Sequence, residues 1–445
     1  MINVGFIHLG CAKNQVDTEL MLYLVKEKGY NISSEYCDCD VAVINTCAFI
    51  ESAKKEAIEN ILEAAALKAE GRIKHIIVTG CLPQRYDGEI ANEFPEVDCF
   101  IGTGSYNEIA NAIENLLSAA PTRREYFNEK EAHNIDGNRI LSTPSYWAYI
   151  KISEGCDNRC AYCAIPDIRG KFRSRTTESI LNEAENLANN GVRELVVISQ
   201  DTTKYGEDIY GKPLLHELLE KLCKVEGLEW IRVMYLYPDK ITQEIIDTIA
   251  DNDKIVKYIE MPIQHISNDV LQRMNRKGSK EDITDLVGKI RNKIPQVILR
   301  TTIITGFPGE NDDDFTQLHE FIINMKFEKL GVFTYSNEEG TPASVFDNQI
   351  DNDIKEKRQD ILMQTQMQIS EDFLRLQITK TFDVLVEGYD KYIKHYFGRS
   401  YMDAPDIDGK VFFTSDTKLP EGDIVKVLIT DNSEYDLYGE ILKDE

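Results

Sequence analysis

No run of about twenty apolar residues, the length that carries a helix across a bilayer, occurs anywhere in the 445-residue sequence. The opening Met1-Ile-Asn-Val-Gly-Phe-Ile-His-Leu-Gly10 has neither a basic start nor a signal-length apolar stretch, so the cytoplasm is the expected location and no membrane partner is expected. A basic region is missing as well. Lys and Arg number 50 against 76 Asp and Glu, a net charge of −26. The deficit is spread evenly: −9 over residues 1–141, −10 over 142–375 and −7 over 376–445. Nucleic-acid affinity comes largely from neutralising phosphates, so no extensive nucleic-acid surface is expected, and a partner chosen by charge would be basic. The seven histidines lack metal-ligand spacing. One of them, in Pro262-Ile-Gln-His265, falls at a strand end, where packing is its expected role.

What is present is an ordinary globular balance, 42% hydrophobic and 28% charged, in a chain long enough for two or three domains. Short apolar strands alternate with helical segments over the first part: strands at 4–9, 41–45, 76–79 and 99–101, helices at 17–28, 51–70 and 107–118. That alternation predicts an α/β fold with a parallel sheet, whose ligands gather at the carboxyl ends of the strands. Residues 126–143 are polar and aperiodic and read as a linker. Six longer β/α repeats over 144–375 predict a partial (β/α) barrel. A polar helix over about 352–380 leads into residues 376–445, where period-two alternation predicts a small antiparallel β-barrel. The N-terminal parallel α/β sheet domain is set at 1–125.

Ten cysteines in a chain expected in the cytoplasm point to metal or redox chemistry before disulfides. Gly155-Cys156-Asp-Asn-Arg-Cys160-Ala-Tyr162-Cys163 places three thiols within eight residues, on the loop after the first strand of the barrel-like region. Three ligands leave one position open, which suits a 4Fe–4S cluster with a free iron. A structural zinc site would need a fourth Cys or His supplied from afar. The second set is dispersed: Cys11, Cys47 and Cys81 are 36 and 34 residues apart, and each follows an expected strand. Neighbouring parallel strands would bring them to one sheet edge, although buried structural cysteine explains them equally well. Cys37, Cys39, Cys99 and Cys223 are read as structural.

The loop Cys-x-x-x-Cys-x-x-Cys resembles the radical S-adenosylmethionine superfamily. That resemblance implies a cluster on Cys156, Cys160 and Cys163 that binds S-adenosylmethionine through its unique iron, with Tyr162 near the adenine. Gln200, in Ser199-Gln200-Asp201-Thr202, and Thr305-Gly306-Phe-Pro-Gly309 are similar to the superfamily's further contacts to the cofactor. With the dispersed cysteines and the terminal barrel, the whole chain resembles the methylthiotransferases. The resemblance implies a second 4Fe–4S cluster on Cys11, Cys47 and Cys81 and a substrate-recognising TRAM barrel. It also implies an electron donor such as flavodoxin or ferredoxin.

Two branches of that family differ in substrate. His8-Leu-Gly-Cys11-Ala-Lys-Asn14-Gln-Val-Asp17-Thr-Glu19 is similar to the branch that modifies an aspartate β-carbon in small-subunit ribosomal protein S-twelve, whereas relatives acting on transfer RNA adenosine typically show Gly-Cys-Gln-Met-Asn. Tyr235-Leu-Tyr-Pro238 and Gly398-Arg-Ser-Tyr-Met-Asp-Ala-Pro405 point to the same branch, the RNA enzymes tending to Ser-Pro-His-Pro at the former. The acidic terminal segment also suits a basic protein better than an RNA backbone. Aspartate methylthiolation is therefore expected, with transfer RNA adenosine as the alternative.

Overall fold

The computed structural model describes residues 2–33, 35–119, 121, 124–129 and 136–442. Its first sheet contains β1 (Asn3–His8), β2 (Asn31–Ser33), β3 (Cys39–Thr46), β4 (Ile73–Gly80), β5 (Cys99–Ile101) and β6 (Glu125–Tyr126). The order is β2-β1-β3-β4-β5-β6, and every neighbouring pair is parallel. Helices cover both faces, so the central strands are near-continuous runs of apolar residues. Alternate residues of β3 serve the two sides. Val41 and Val43 pack with Met21 and Val25 of α1 (Ala12–Glu27), while Ala42 and Ile44 pack with Ala57 and Ile61 of α2 (Glu51–Ala69).

The second sheet starts at β7 (Trp147–Lys151), after which β8 (Ser153–Glu154) and β9 (Arg173–Ser174) form a two-stranded ribbon around the cysteine loop. It continues with β10 (Glu194–Ile198), β11 (Trp230–Val233), β12 (Ile255–Glu260), β13 (Ile298–Thr305) and β14 (Lys329–Thr334). The order β14-β13-β12-β11-β10-β7 is all parallel and open, a six-stranded partial barrel. Ala148, Ile150, Leu195 and Val197 pack under the surrounding helices. Their alternating neighbours Trp147, Tyr149, Val196 and Ile198 face the C-terminal barrel instead.

That barrel closes from β15 (Thr381–Asp390), β16 (His395–Arg399), β17 (Val411–Thr414), β18 (Ile424–Asn432) and β19 (Leu437–Ile441) in the order β15-β16-β17-β19-β18. Four pairings are antiparallel, and β17 with β19 is parallel, a detail that strand alternation cannot reveal. The barrel is fastened to the second sheet by buried charge. Glu194 of β10 takes Arg232 at 2.8 Å and Arg399 at 2.6 Å, Lys329 of β14 takes Asp403 at 2.8 Å, and the Tyr258 hydroxyl donates to Asp408 at 2.7 Å. Burial alone would raise the Glu194 carboxyl, but Arg399 and Arg232 outweigh it and hold it below the usual range.

The fold class matches expectation: parallel α/β sheets, a partial barrel and a closed small barrel. Three local features differ. Helix α1 begins at Ala12 rather than residue 17, because its first turns bury polar instead of apolar side chains. The helix expected to reach 380 is Asn352–Arg375. Within the expected linker 126–143, residues 130–135 lie outside the described residues; the later part is anchored, with Arg139 bonded to Glu19 and to Glu183 at 2.6 Å. Among the described residues no helix is long and apolar enough to cross a membrane.

Candidate active site: two cysteine triads on one cavity

The dispersed cysteines meet because of sheet order. β1, β3 and β4 are adjacent, with His8 opposite Asn45 and Thr46 opposite Gly80. Cys11, Cys47 and Cys81 leave those three strands at their carboxyl ends. Asn14 ties the ends together. Its amide donates to Leu9 O at 3.0 Å and Thr46 O at 2.9 Å, and its oxygen faces the Cys81 Sγ at 3.8 Å. Gly80 has φ +99°, and a Cβ there would stand 2.4 Å from Asn45 Oδ1 and 2.5 Å from Thr46 O. Only glycine allows Cys81 to turn in at this point.

The loop cysteines are positioned by local clamps. Gly155 (φ +76°) passes so close to Lys171 that a Cβ would lie 2.1 Å from its carbonyl oxygen. Asp157 Oδ1 accepts from Phe172 N at 3.1 Å, Ala161 N donates to Met274 O at 2.9 Å, and Ala343 N donates to Ala161 O at 2.9 Å.

Both triads line one cavity of about 610 Å3 between the two sheets. All ten cysteines are free thiols. Burial pushes the Cys47 thiol up to about 12, and the neighbouring Cys81 and Cys11 add to the shift. Burial likewise raises Cys81, Cys163 and, to about 11, Cys156. Such thiols keep their protons at neutral pH until a metal displaces them. Among the described residues no three His, Cys, Asp or Glu side chains are arranged around a single metal ion. A 4Fe–4S cluster is a wider object whose thiolates sit on different irons, so two sulfur triads on one cavity remain a suitable donor set.

Each triad also has a side-chain hydrogen-bond partner. The Arg169 guanidinium donates to Cys81 Sγ at 3.6 Å, and Tyr237 Oη lies 2.7 Å from Cys160 Sγ. Arg169 belongs to a fully buried network at the junction of the two sheets. It bonds Asp17 and Glu154 at 2.9 Å each, and Lys151 bonds Asp17 and, at 2.7 Å, Glu154. Two cations and two carboxylates thus neutralise each other between the triads.

Of the other expected contacts, Tyr162 and Gln200 line the cavity. Gln200 donates to Glu154, while its Oε1 is buried without a partner. Gln264, which sequence reasoning missed, lines the same cavity with an equally orphaned Oε1. These two buried acceptors fit a polar ligand bearing N–H or O–H groups, as S-adenosylmethionine does. Thr305 and Gly306 are not brought to the cavity. Thr305 Oγ1 donates to Lys355 O at 3.2 Å, Gly306 N donates to Glu310 at 2.8 Å, and the helix Asn352–Arg375 covers this strand end through Lys355. Thr302, three residues earlier on β13, lines the cavity instead. His265 is fully buried, accepts from Ser267 N at 3.0 Å and is absent from the lining.

An open parallel barrel with three thiols on the loop after its first strand defines a radical S-adenosylmethionine enzyme. The chain matches the Radical SAM superfamily over residues 150–322, the TRAM domain over 378–442 and a family described as uncharacterized, UPF0004, over 3–102. Among solved structures, the radical S-adenosylmethionine methyltransferase TsrM from Kitasatospora setae shares the fold with TM-score 0.56 at 14% identity, over 75% of this chain and 73% of that one. A protein of Thermoanaerobacter sp. (strain X514) named ribosomal protein uS12 methylthiotransferase RimO is 49% identical over 99% of this chain and all of its own length. Its namesake in Clostridioides difficile (strain 630) is also 49% identical, over 99% of both chains. The chain therefore belongs to the ribosomal protein uS12 methylthiotransferase family.

Proposed function

We propose that this chain replaces a hydrogen on the β-carbon of an aspartate in ribosomal protein uS12 with a methylthio group. The observation that carries the reading is the convergence of two thiol triads on one cavity, in a chain that aligns end to end with uS12 methylthiotransferases. Cys156, Cys160 and Cys163 hold one 4Fe–4S cluster and leave an iron open for S-adenosylmethionine; Cys11, Cys47 and Cys81 hold a second. When bound, these groups supply the radical, sulfur and methyl chemistry that acid–base catalysis cannot bring to an unactivated C–H bond.

The chain's own residues do the positioning. Gln200 and Gln264 offer buried acceptors to the cofactor, and Tyr162 packs in the same wall. Asn14 holds the three strand ends of the dispersed triad, and the Asp17–Lys151–Glu154–Arg169 network locks the two sheets in register. Phe333 of β14 and Ile407 of the barrel, both about half exposed, complete the lining with apolar surface that excludes water. Residues 1–125 thus serve the second cluster, 144–375 the radical chemistry and 376–445 the substrate. The acidic barrel favours a basic ribosomal protein over RNA. The reductant is a small electron carrier such as flavodoxin or ferredoxin, and the setting is the cytoplasm.

Mass spectrometry of ribosomal proteins from cells with and without the gene tests the reading. A methylthio increment on one aspartate of uS12, lost in the deletion, is expected. An unchanged uS12 together with a methylthio group missing from transfer RNA would overturn it.

A further inference from the structure

The cations on the cavity wall are unequally committed. Arg169 is saturated by Asp17, Glu154 and Asn14. Arg276 donates to Pro262 O and lies over the Tyr237 ring, and Arg300 pairs with Glu260 at 2.7 Å. Arg159, also on this wall, is exposed to solvent, and Lys13 differs from all four. It is 8% exposed and lines the cavity, yet its Nζ has no hydrogen-bond acceptor or ion-pair partner among the described residues. It sits on the face of Tyr235, 3.0 Å from the ring centroid, with the carboxylates of Glu260 and Glu154 acting on it through space but not bonded to it. A cation–π contact stabilises an ammonium but leaves its three N–H donors unmet.

Tyr235 is held there at a cost. Its φ is +62°, a left-handed conformation that an aromatic residue rarely adopts. The surroundings enforce it: Tyr235 N donates to Glu260 at 3.1 Å, and Tyr235 O accepts from Thr202 N at 3.1 Å. Backbone strain of this kind persists where the position of the side chain matters. Lys13 and Tyr235 lie 222 residues apart in the chain, and the fold brings them into contact inside the cavity.

We infer that Lys13, seated on Tyr235, binds the side-chain carboxylate of the substrate aspartate and so selects a carboxylate-bearing side chain over a neutral one. A carboxylate supplies acceptors for the unmet donors together with the opposite charge. A neutral base in the same place would offer those donors no charged acceptor.

This inference rests on uS12 as substrate, and one experiment separates the two. Binding to the cluster-loaded enzyme is measured for uS12 and for uS12 with asparagine in place of its target aspartate. The wild-type enzyme should prefer the aspartate form. In Lys13→Met, affinity for that form should fall roughly thirtyfold or more, the effect of truncating one partner of a buried charge pair, while affinity for the asparagine form hardly moves. Lys13→Arg should restore part of the preference. Iron content at the wild-type level identifies the effect as substrate binding rather than damage near Cys11. If Lys13→Met fails to load iron, Lys13→Gln is read in the same way. A preference retained by the neutral variant, or an equal loss for both forms, would overturn the assignment of Lys13 while leaving the uS12 reading intact. A wild-type enzyme that neither binds nor modifies uS12 would remove both.

Discussion

The two cysteine triads share a cavity but are built by opposite means. Cys156, Cys160 and Cys163 lie on one loop, held by backbone hydrogen bonds to Gly170 and Met274, so their convergence is local. Cys11, Cys47 and Cys81 converge only if three βα units fold in the right order and register. A loop triad can tolerate small shifts of the sheet beneath it. A triad spread over three strand ends reports any such shift at once, and it is braced accordingly by Asn14 and Arg169. The difference teaches where each triad is vulnerable.

Removing one ligand from each triad should separate them most sharply. Cys160→Ala should abolish S-adenosylmethionine cleavage and product together. Cys47→Ala should still cleave S-adenosylmethionine but transfer no methylthio group. In either variant iron should fall from about eight to about four per chain. Iron assay, 5′-deoxyadenosine release and substrate mass check this. Full methylthiolation and full iron in Cys47→Ala would show that the dispersed triad holds nothing.

The next effect lies in the bracing. Arg169→Met removes one of the two cations that pair with both Asp17 and Glu154, and breaking a buried charge cluster in this way costs about 3–5 kcal/mol. Thermal or denaturant unfolding should register that loss, and the electron-paramagnetic signal of the second cluster should weaken while that of the loop cluster persists. Gly80→Ala acts on the same triad with less force. The left-handed φ and the 2.4 Å approach to Asn45 should cost about 2–3 kcal/mol and displace Cys81. Gly155→Ala should instead perturb only the loop cluster. Loss of both clusters in either glycine variant would erase the distinction between local and topological assembly.

The same distinction explains what could be read before the fold was known. The loop triad is legible because its geometry is written in three- and two-residue gaps. The dispersed triad is half legible: strand runs and intervals of about 35 residues announce three βα units, but the adjacency of β1, β3 and β4 is a property of the sheet. The bracing was hidden. Asn14, Asp17 and Thr18 share one face of α1 and are buried there, where periodicity looks for apolar residues, so the apolar pattern starts the helix only at residue 17. The partners of Asp17, which are Lys151 and Arg169, lie over 130 residues away. Thr305 and Gly306 stand apart from the cavity lining for a related reason. A glycine-bearing strand end looks like a ligand loop, and only packing reveals that Lys355 already occupies it.

The smallest effect concerns two of the hydrogen bonds to sulfur, beside the longer one that Arg276 gives Cys160 at 4.0 Å. Arg169 brings a charged donor to Cys81 at 3.6 Å, and Tyr237 brings a neutral hydroxyl to Cys160 at 2.7 Å. A donor facing a ligating thiolate stabilises the more negative, reduced cluster and raises its reduction potential. Tyr237→Phe should therefore lower the potential of the loop cluster, at a stability cost of only about 1 kcal/mol, the typical net value of one hydrogen bond. Arg169→Lys keeps the charge but loses the fork, so it should lower the second cluster's potential without the collapse expected of Arg169→Met. Redox titration followed by electron paramagnetic resonance reads both on one sample series. If each substitution moves only its own cluster, the triads are tuned independently. If Tyr237→Phe shifts both equally, the shared cavity couples them more strongly than their separate construction implies.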